Sequence, residues 1–486
     1  MEYHTFPLIL IPLISTIIYL LKISTKPSKS NLPPGPKPWP IIGNIHLLGH
    51  KPHRSVSELS KKYGPIMTLK LGSVTTIVIS SPKVAEEMFL KHDLALSGRK
   101  TPYAICVQDH DKYSMAFIPV SPKWRNLRKI ATVQLLTNHR LDASQGLRRE
   151  KVHELVQYAR DCCEKGIAMD IGKAGFITSL NLLSNTFFSM NLTSYDSSFS
   201  GEFRDIVWNM LEEAGRPNLS DFFPVLKGLD LQGMRKRYSV YYYKMIAIFD
   251  EIINQRLKDS TSDKDDVLGS LLKLVKEDEL SLDDVRHLLL DLFIAGTDTT
   301  SATLEWAMTE LLVNPQKIEI AQKQISQVFA KDQVIHESDI PKLPYIHAVV
   351  KETFRMHPSV PFLLPHWAEN DVQLSSYYVP KDAQIWVNVW SMGRDPSVWL
   401  DPNSFIPERF LDKDIDVKGR DFELLPFGAG RRICPGLPLA YRMVHLTLAT
   451  LLHSFDWKLG NGMSQVWDHV AKISAAYGGP TLQMIR

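Results

Sequence analysis

The sequence predicts a mainly α-helical protein with a small β-sheet part near its N-terminus, set behind an N-terminal membrane helix. Three observations predict this. Long stretches after Pro82 repeat their apolar residues at helical spacing, as in Leu147 to Cys163, Arg235 to Leu257 and Leu280 to Val313. Met67 to Ser80 is rich in Thr, Val and Ile around Gly72, the pattern of two short strands joined by a turn. Phe6 to Leu21 is a nearly continuous apolar run.

In chain order, the apolar run comes first. It is broken by Pro7, Pro12, Ser15 and Thr16 and is somewhat shorter than the ~20 residues that span a bilayer. Lys22, Lys26 and Lys29 follow it rather than precede it, which argues against a cleaved leader and keeps the remainder on the cytosolic side. Next stands Leu32-Pro33-Pro34-Gly35-Pro36-Lys37-Pro38-Trp39-Pro40, where prolines fix φ and remove backbone donors, so neither a helix nor a central strand forms. The expected organisation is a membrane anchor with a basic flank over residues 1–30, a stiff hinge over 31–40 and one catalytic domain over 41–486. The charged tract Lys258 to Asp266 reads as a surface loop, because the helical pattern resumes directly after it.

Composition excludes several classes. With 44% hydrophobic and 22% charged residues the chain can bury a sizeable core, and a net charge of +3 over 486 residues gives no reason to expect nucleic acid. Cys106, Cys162, Cys163 and Cys434 form no zinc spacing, and adjacent Cys162 and Cys163 make a poor disulfide, which indicates a reduced compartment. The triplets Asn191-Leu192-Thr193 and Asn218-Leu219-Ser220 are then chance glycosylation matches.

The most specific stretch is Phe427-Gly428-Ala429-Gly430-Arg431-Arg432-Ile433-Cys434-Pro435-Gly436, followed by the helix-like run Leu437 to Leu452. A cysteine held just before a helix N-terminus has its thiolate stabilised by backbone N–H groups, as a metal ligand requires. The glycines permit close backbone approach to a planar macrocycle, Phe427 could cover the sulfur, and Arg432 is a fork-shaped cation suited to a carboxylate. The spacing of Phe427, Gly430, Arg432, Cys434 and Gly436 resembles the haem-binding signature of the cytochrome P450 family.

The resemblance covers essentially the whole chain and implies the cytochrome P450 fold, an α-helical haem domain with an N-terminal β region. It implies haem b with Cys434 as the proximal iron ligand, Gly428 and Gly436 in the same loop, and Trp124, Arg128, Arg432 and His366 holding the propionates. Glu352 and Arg355, three apart on one helix face, together with Arg409, resemble the cluster that fixes the core behind the haem. Within Ala295-Gly296-Thr297-Asp298-Thr299-Thr300, glycine and threonines stand against helical propensity. In the family the helix opens locally there to admit dioxygen, and Asp298 and Thr299 match the acid and alcohol that deliver protons. The chain holds no GxGxxG after a strand, so electrons must come from outside, by implication from NADPH through a separate cytochrome P450 reductase. Lys123, Arg125 and Lys129 are candidates for its docking face. The membrane implied is that of the endoplasmic reticulum.

Three strings, Leu71 to Ser80, Asn218 to Pro224 and Gly296 to Ala307, resemble a plant branch of terpenoid hydroxylases, the geraniol 8-hydroxylase-like group. This implies a small apolar terpenoid substrate, a monoterpenoid first and a diterpenoid second, with aromatic, alkaloid or phenylpropanoid compounds as the alternative. Ala295, Phe117, Val360, Phe362, Leu363 and Leu364 are the candidate pocket residues. Two stretches depart from the pattern: Asp109, His110, Asp111 and Lys112 make the loop over the pocket polar, and Pro480 sits unfamiliarly in Tyr477 to Thr481. Two readings compete with oxygenation, a haem-thiolate isomerase or dehydratase that needs no reductase and a non-catalytic haem-binding membrane protein. The intact Asp298-Thr299 pair argues against both.

Overall fold

The structure, a computed structural model, describes residues 31–258, 266–459 and 483–485. The apolar run with its lysines, most of the charged tract after Lys258 and the turn around Pro480 lie outside these residues. Among the described residues no helix is long and apolar enough to cross a membrane.

The Thr/Val/Ile stretch forms β1 (Ile66–Leu71) and β2 (Val74–Ile79), antiparallel from Ile66 opposite Ile79 to Leu71 opposite Val74. Gly72 closes the turn at φ +59°, a left-handed conformation that favours glycine. Two later strands complete the sheet: β3 (His366–Trp367) and β4 (Gln384–Val387). The order is β1-β2-β4-β3, with β4 parallel to β2 and antiparallel to β3. A long-range parallel pairing of this kind leaves no local sequence signal.

The proline-rich segment is extended, as its composition dictates, but it does not swing free of the body. The Thr68 N–H donates to the Pro34 carbonyl at 2.8 Å, the Tyr378 N–H donates to the Asn31 carbonyl, and Pro33 and Pro36 are buried. A Cβ on Gly35 would stand 2.0 Å from the Thr68 carbonyl oxygen, so the glycine permits this docking. The segment thus covers the edge of β1, and the packed body begins at its start rather than at Ile41.

The helices that frame the site are α1 (Pro122–Ala131), α2 (Gln145–Glu164), α3 (Ile171–Phe188), α4 (Ser198–Gly215), α5 (Met234–Lys258), α6 (Leu282–Val313), α7 (Pro344–Met356) and α8 (Leu437–Ser454). The spine is α6. A reciprocal capping box between Ser281 and Asp284 starts it, and Asn314 before Pro315 ends it. At 32 residues it is about 48 Å long. Against it lies α3, whose sequence is apolar almost all round and which is buried accordingly. The two run antiparallel, with Gly172 opposite Glu305, Gly175 opposite Ser301 and Leu304, and Leu183 opposite Gly296. Glycine on one partner at each level lets the backbones approach closely.

Candidate active site

Cys434 stands two residues before Gly436, the residue that caps α8. Its N–H donates to the Phe427 carbonyl at 2.9 Å, which closes the loop, and Gly428 and Gly430 turn it at φ +71° and +65°. A Cβ on Gly430 would lie 2.4 Å from an Asp93 carboxylate oxygen, so this position tolerates no side chain. The Phe427 ring packs edge-on against Phe354, with centroids 5.2 Å apart. Burial raises the Cys434 thiol pKa, while the N–H groups of Gly436 and Leu437 and the Arg128 charge oppose the rise. These donors are placed to stabilise a thiolate, the form that binds a metal cation, against the cost of burial.

Beside the sulfur lies a set of cations. Trp124 of α1 is buried and donates its indole N–H to the Met115 carbonyl at 3.1 Å. Arg128, one turn on, and Arg432 flank the indole at 6.0 and 4.7 Å. Arg128 donates to the Ile433 carbonyl; Arg432 donates to the carbonyls of Ser97 (3.0 Å) and Ile118 (2.7 Å). Burial pushes Arg432 down to about 10, with Glu369 and Asp93 opposing the fall and Arg128 adding to it. His366 in β3 faces the Leu96 carbonyl with Nδ1 at 2.7 Å, and burial, Arg99 and Arg432 hold it well below the usual histidine range.

Arg99 belongs to this set and the sequence reading did not find it. Its Nε has no partner, it donates to the Leu364 carbonyl, and burial and Arg432 push it down to about 9. It is enclosed by protein yet only part-buried, so the space it faces lies inside the molecule. Among the described residues no carboxylate forms an ion pair with Arg99, Arg128 or Arg432. Uncompensated buried cations are costly unless an anion joins them. A buried thiol next to an enclosed arginine set fits a group that is metal at its centre and carboxylate at its edge, and haem is such a group.

Behind the thiol, Glu352 and Arg355 form a fully buried pair at 2.6 and 2.7 Å, and Arg409 joins at 3.1 Å. The Ile406 N–H donates to the same carboxylate, and Arg355 also donates to the carbonyls of Gly393, Pro402 and Ser404. The three residues expected as a cluster do meet, and every strong polar group in the cluster has a partner.

On the other side, Asp298 and Thr299 sit on α6, but the expected local opening of the helix is not there. α6 runs unbroken from Leu282 to Val313. The hydroxyls of Thr297, Thr299, Thr300 and Thr303 each bond back to the carbonyl four residues earlier, Thr299 to Ala295 at 2.7 Å, so side chains occupy the carbonyls without breaking the ladder. Gly296 serves packing, since a Cβ there would lie 2.8 Å from Leu183. Ala295 is exposed in the middle of this helix. Burial pushes the Asp298 carboxyl up to about 6, against the pull of Arg204.

Residues 33–470 match the family Cytochrome P450. The chain belongs to the cytochrome P450 family. It is 54% identical to "Cytochrome P450 monooxygenase 76AD131" of Lophophora williamsii, over 96% of this chain and 95% of that one. It is 50% identical to a geraniol 8-hydroxylase of Swertia mussotii, over 92% and 91%. A solved zebrafish cytochrome P450 with progesterone superposes with a TM-score of 0.74 at 25% identity, covering 89% of this chain and 99% of that one. The protein is a haem-thiolate monooxygenase that uses O2, an apolar substrate and a redox partner, and the P450 fold is the one described above.

The remaining candidates of this P450 divide by location. Phe362 stacks on Trp386 at 4.8 Å and Leu363 packs with the sheet, Leu363 at φ +53°, so both are built into the β region. Val360 is part-buried, Leu364 is more exposed, and Phe117 packs against the cluster around α5 and α6. The polar loop resolves into two groups. Asp109, Asp111 and Lys112 point to solvent, while His110 is buried, with Nδ1 2.8 Å from His287 Nδ1 and Nε2 3.4 Å from Asp291. Ser114 donates to Asp291 at 2.8 Å, so these side chains tie the loop to α6. Lys123, Arg125 and Lys129 are all exposed on α1; Lys123 is paired with Asp284 at 2.8 Å and lies over the Tyr113 ring.

Proposed function

We propose that this P450 hydroxylates a small terpenoid, a monoterpenoid before a diterpenoid, with electrons from NADPH passed on by cytochrome P450 reductase. The reading rests on its similarity to geraniol 8-hydroxylase across nine-tenths of both chains. Cys434 would ligate the haem iron, Arg99, Arg128, Arg432 and His366 would hold the propionates, and Trp124 lies beside Arg128 and Arg432. Bound haem supplies activation of O2 and transfer of one oxygen atom to a C–H bond, with the other leaving as water. The residues of the chain do the rest. Asp298, whose proton affinity burial raises, takes up a proton and passes it on, and the Thr299 hydroxyl fixes its delivery on α6. Ala295 and Phe117 shape an apolar wall and exclude water from the reacting C–H bond.

The organisation proposed is an N-terminal anchor in the endoplasmic reticulum membrane over residues 1–30, the proline-rich segment 31–40 and a cytosol-facing catalytic domain. Arg125 and Lys129 are the cations offered to an acidic reductase face. The test is turnover of a panel of monoterpene alcohols, diterpene hydrocarbons and phenolic compounds in microsomes containing a plant reductase, with products read by mass spectrometry. A hydroxylated terpenoid that vanishes without NADPH is the expected result. A hydroxylated phenol with no terpenoid product would replace the substrate class, and product formed equally without NADPH would replace the chemistry.

A further inference from the structure

Two turns along α6 from Asp298 lies a buried acid that nothing above uses. Glu305 is 3% exposed and its Oε1 has no hydrogen-bond partner. The carboxyl presses against the head of α3, where a Cβ on Gly172 would meet Oε2 at 2.5 Å, so that position accommodates it by having no side chain. A buried carboxyl without a partner is expensive to keep charged and is not explained by packing.

Its surroundings form a line from solvent to Asp298. Asp170, which caps α3, and Arg204 of α4 stand 3.8 Å apart and are 24% and 29% exposed, so they form a mouth at the surface. Ser301 lies three residues after Asp298 and four before Glu305, which puts all three on one face with about 5–6 Å between successive Cβ atoms. Its hydroxyl donates to the Asp298 backbone carbonyl at 2.9 Å, which holds it on the face that Asp298 and Glu305 share. Beside Ser301 a cavity of about 10 Å³ is lined by Gly175, Leu304, Met443, Val444 and the neighbouring threonines. The charged groups acting on Glu305 are Asp170, Arg204 and Asp298; α8 brings Met443, Val444 and Thr447 to this side, none titratable.

We propose that Glu305 is a positioning residue for proton supply, taking protons from solvent at the Asp170–Arg204 mouth and passing them through Ser301 to Asp298. The step is a proton transfer only: the carboxylic acid of Glu305 gives its proton to the Ser301 hydroxyl as that hydroxyl gives its own to the Asp298 carboxylate, and Glu305 is reprotonated from outside. Burial first, then Asp170 and Asp298, raise its carboxyl to about 8, so at neutral pH it holds the proton it has to give. The inference rests on the proposed role of Asp298 in proton delivery.

The test uses the full-length holoenzyme with its reductase. Infrared pH titration should show a protonated-carboxyl band that disappears as pH rises through about 8 and is missing in Glu305→Gln. In turnover, the fraction of NADPH electrons reaching product should fall about threefold to tenfold in Glu305→Gln, a part of what a general acid contributes, with hydrogen peroxide making up the difference and KM unchanged. Coupling in the wild type should decline above pH 8 and be flat in the variant, and Glu305→Asp should restore part of it. Ser301→Ala is the second variant, expected to lower coupling while the infrared band stays. Wild-type coupling in Glu305→Gln at every pH, or a band unaltered in it, would overturn the relay. If Asp298→Asn uncouples while Glu305→Gln does not, only the relay fails; if neither uncouples, proton delivery through Asp298 fails with it.

Discussion

Replacing Arg99 with leucine should move cofactor retention and the stability of the haem-free protein in opposite directions. Among the protein's own groups its guanidinium is enclosed, its Nε is unpartnered and Arg432 repels it. A fall from the ordinary 12.5 to about 9 corresponds, at 1.36 kcal/mol per pKa unit, to at most about 5 kcal/mol of unfavourable burial. Relaxation and water reaching a part-buried side chain bring this to about 1–2 kcal/mol, which leucine removes. With haem present the sign reverses, since a charge-assisted hydrogen bond to a carboxylate contributes about 1.5–3 kcal/mol. Haem should then leave the variant about 10- to 100-fold faster. The assay pairs haem transfer to an excess of an acceptor apoprotein with the urea midpoint of the haem-free form. A transfer rate within about twofold of wild type, or a haem-free variant less stable than wild type, would refute the assignment of Arg99 to an anion site.

Glu352→Gln leaves Arg355 and Arg409 without their carboxylate in a fully buried cluster, at a cost of about 3–5 kcal/mol. With an unfolding entropy of about 1 kcal/mol/K for a chain of this length, calorimetry should record a Tm lower by about 3–5 °C, and no change would remove the cluster from the account. Thr299→Ala should keep NADPH consumption but divert it to hydrogen peroxide, and full product yield per NADPH would dispose of the hydroxyl's role. Asp298 is raised from 3.8 to about 6, so the stability tied to its neutral form is present below pH 4 and is lost as pH rises through about 6. Asp298→Asn has no such loss and should gain about 1–3 kcal/mol on the wild type between pH 4 and pH 8 in denaturant titrations; a constant difference would contradict the burial argument.

How much of this was legible in the sequence depended on whether the signal was local. The cysteine loop was, because its glycines, its cysteine and the following helix all lie within ten residues and each type answers a geometric need. So were the helices, whose observed bounds at Gln145–Glu164, Met234–Lys258 and Leu282–Val313 fall within about two residues of the periodic stretches. Arg99 was not, since its neighbours suggest an ordinary turn and its place is fixed by Gly98, whose carbonyl accepts from Trp367 N–H across 269 residues. β3 and β4 failed for the same reason. The expected opening of α6 was carried by resemblance alone, and here the threonine hydroxyls satisfy the carbonyls without unwinding. The polar loop looked like a departure from an apolar pocket because sequence cannot tell that His110 and Ser114 turn inward onto Asp291 while Asp109 and Lys112 turn out.

The most direct test of the central claim, thiolate ligation by Cys434, is the absorption spectrum of the reduced carbon monoxide complex of the wild type and of Cys434→His. The wild type should show the red-shifted band of a thiolate-ligated haem, and the variant should lose that band, even where it keeps haem, along with NADPH-dependent product. A thiolate-type band that survives in Cys434→His would place the ligand elsewhere and contradict the account.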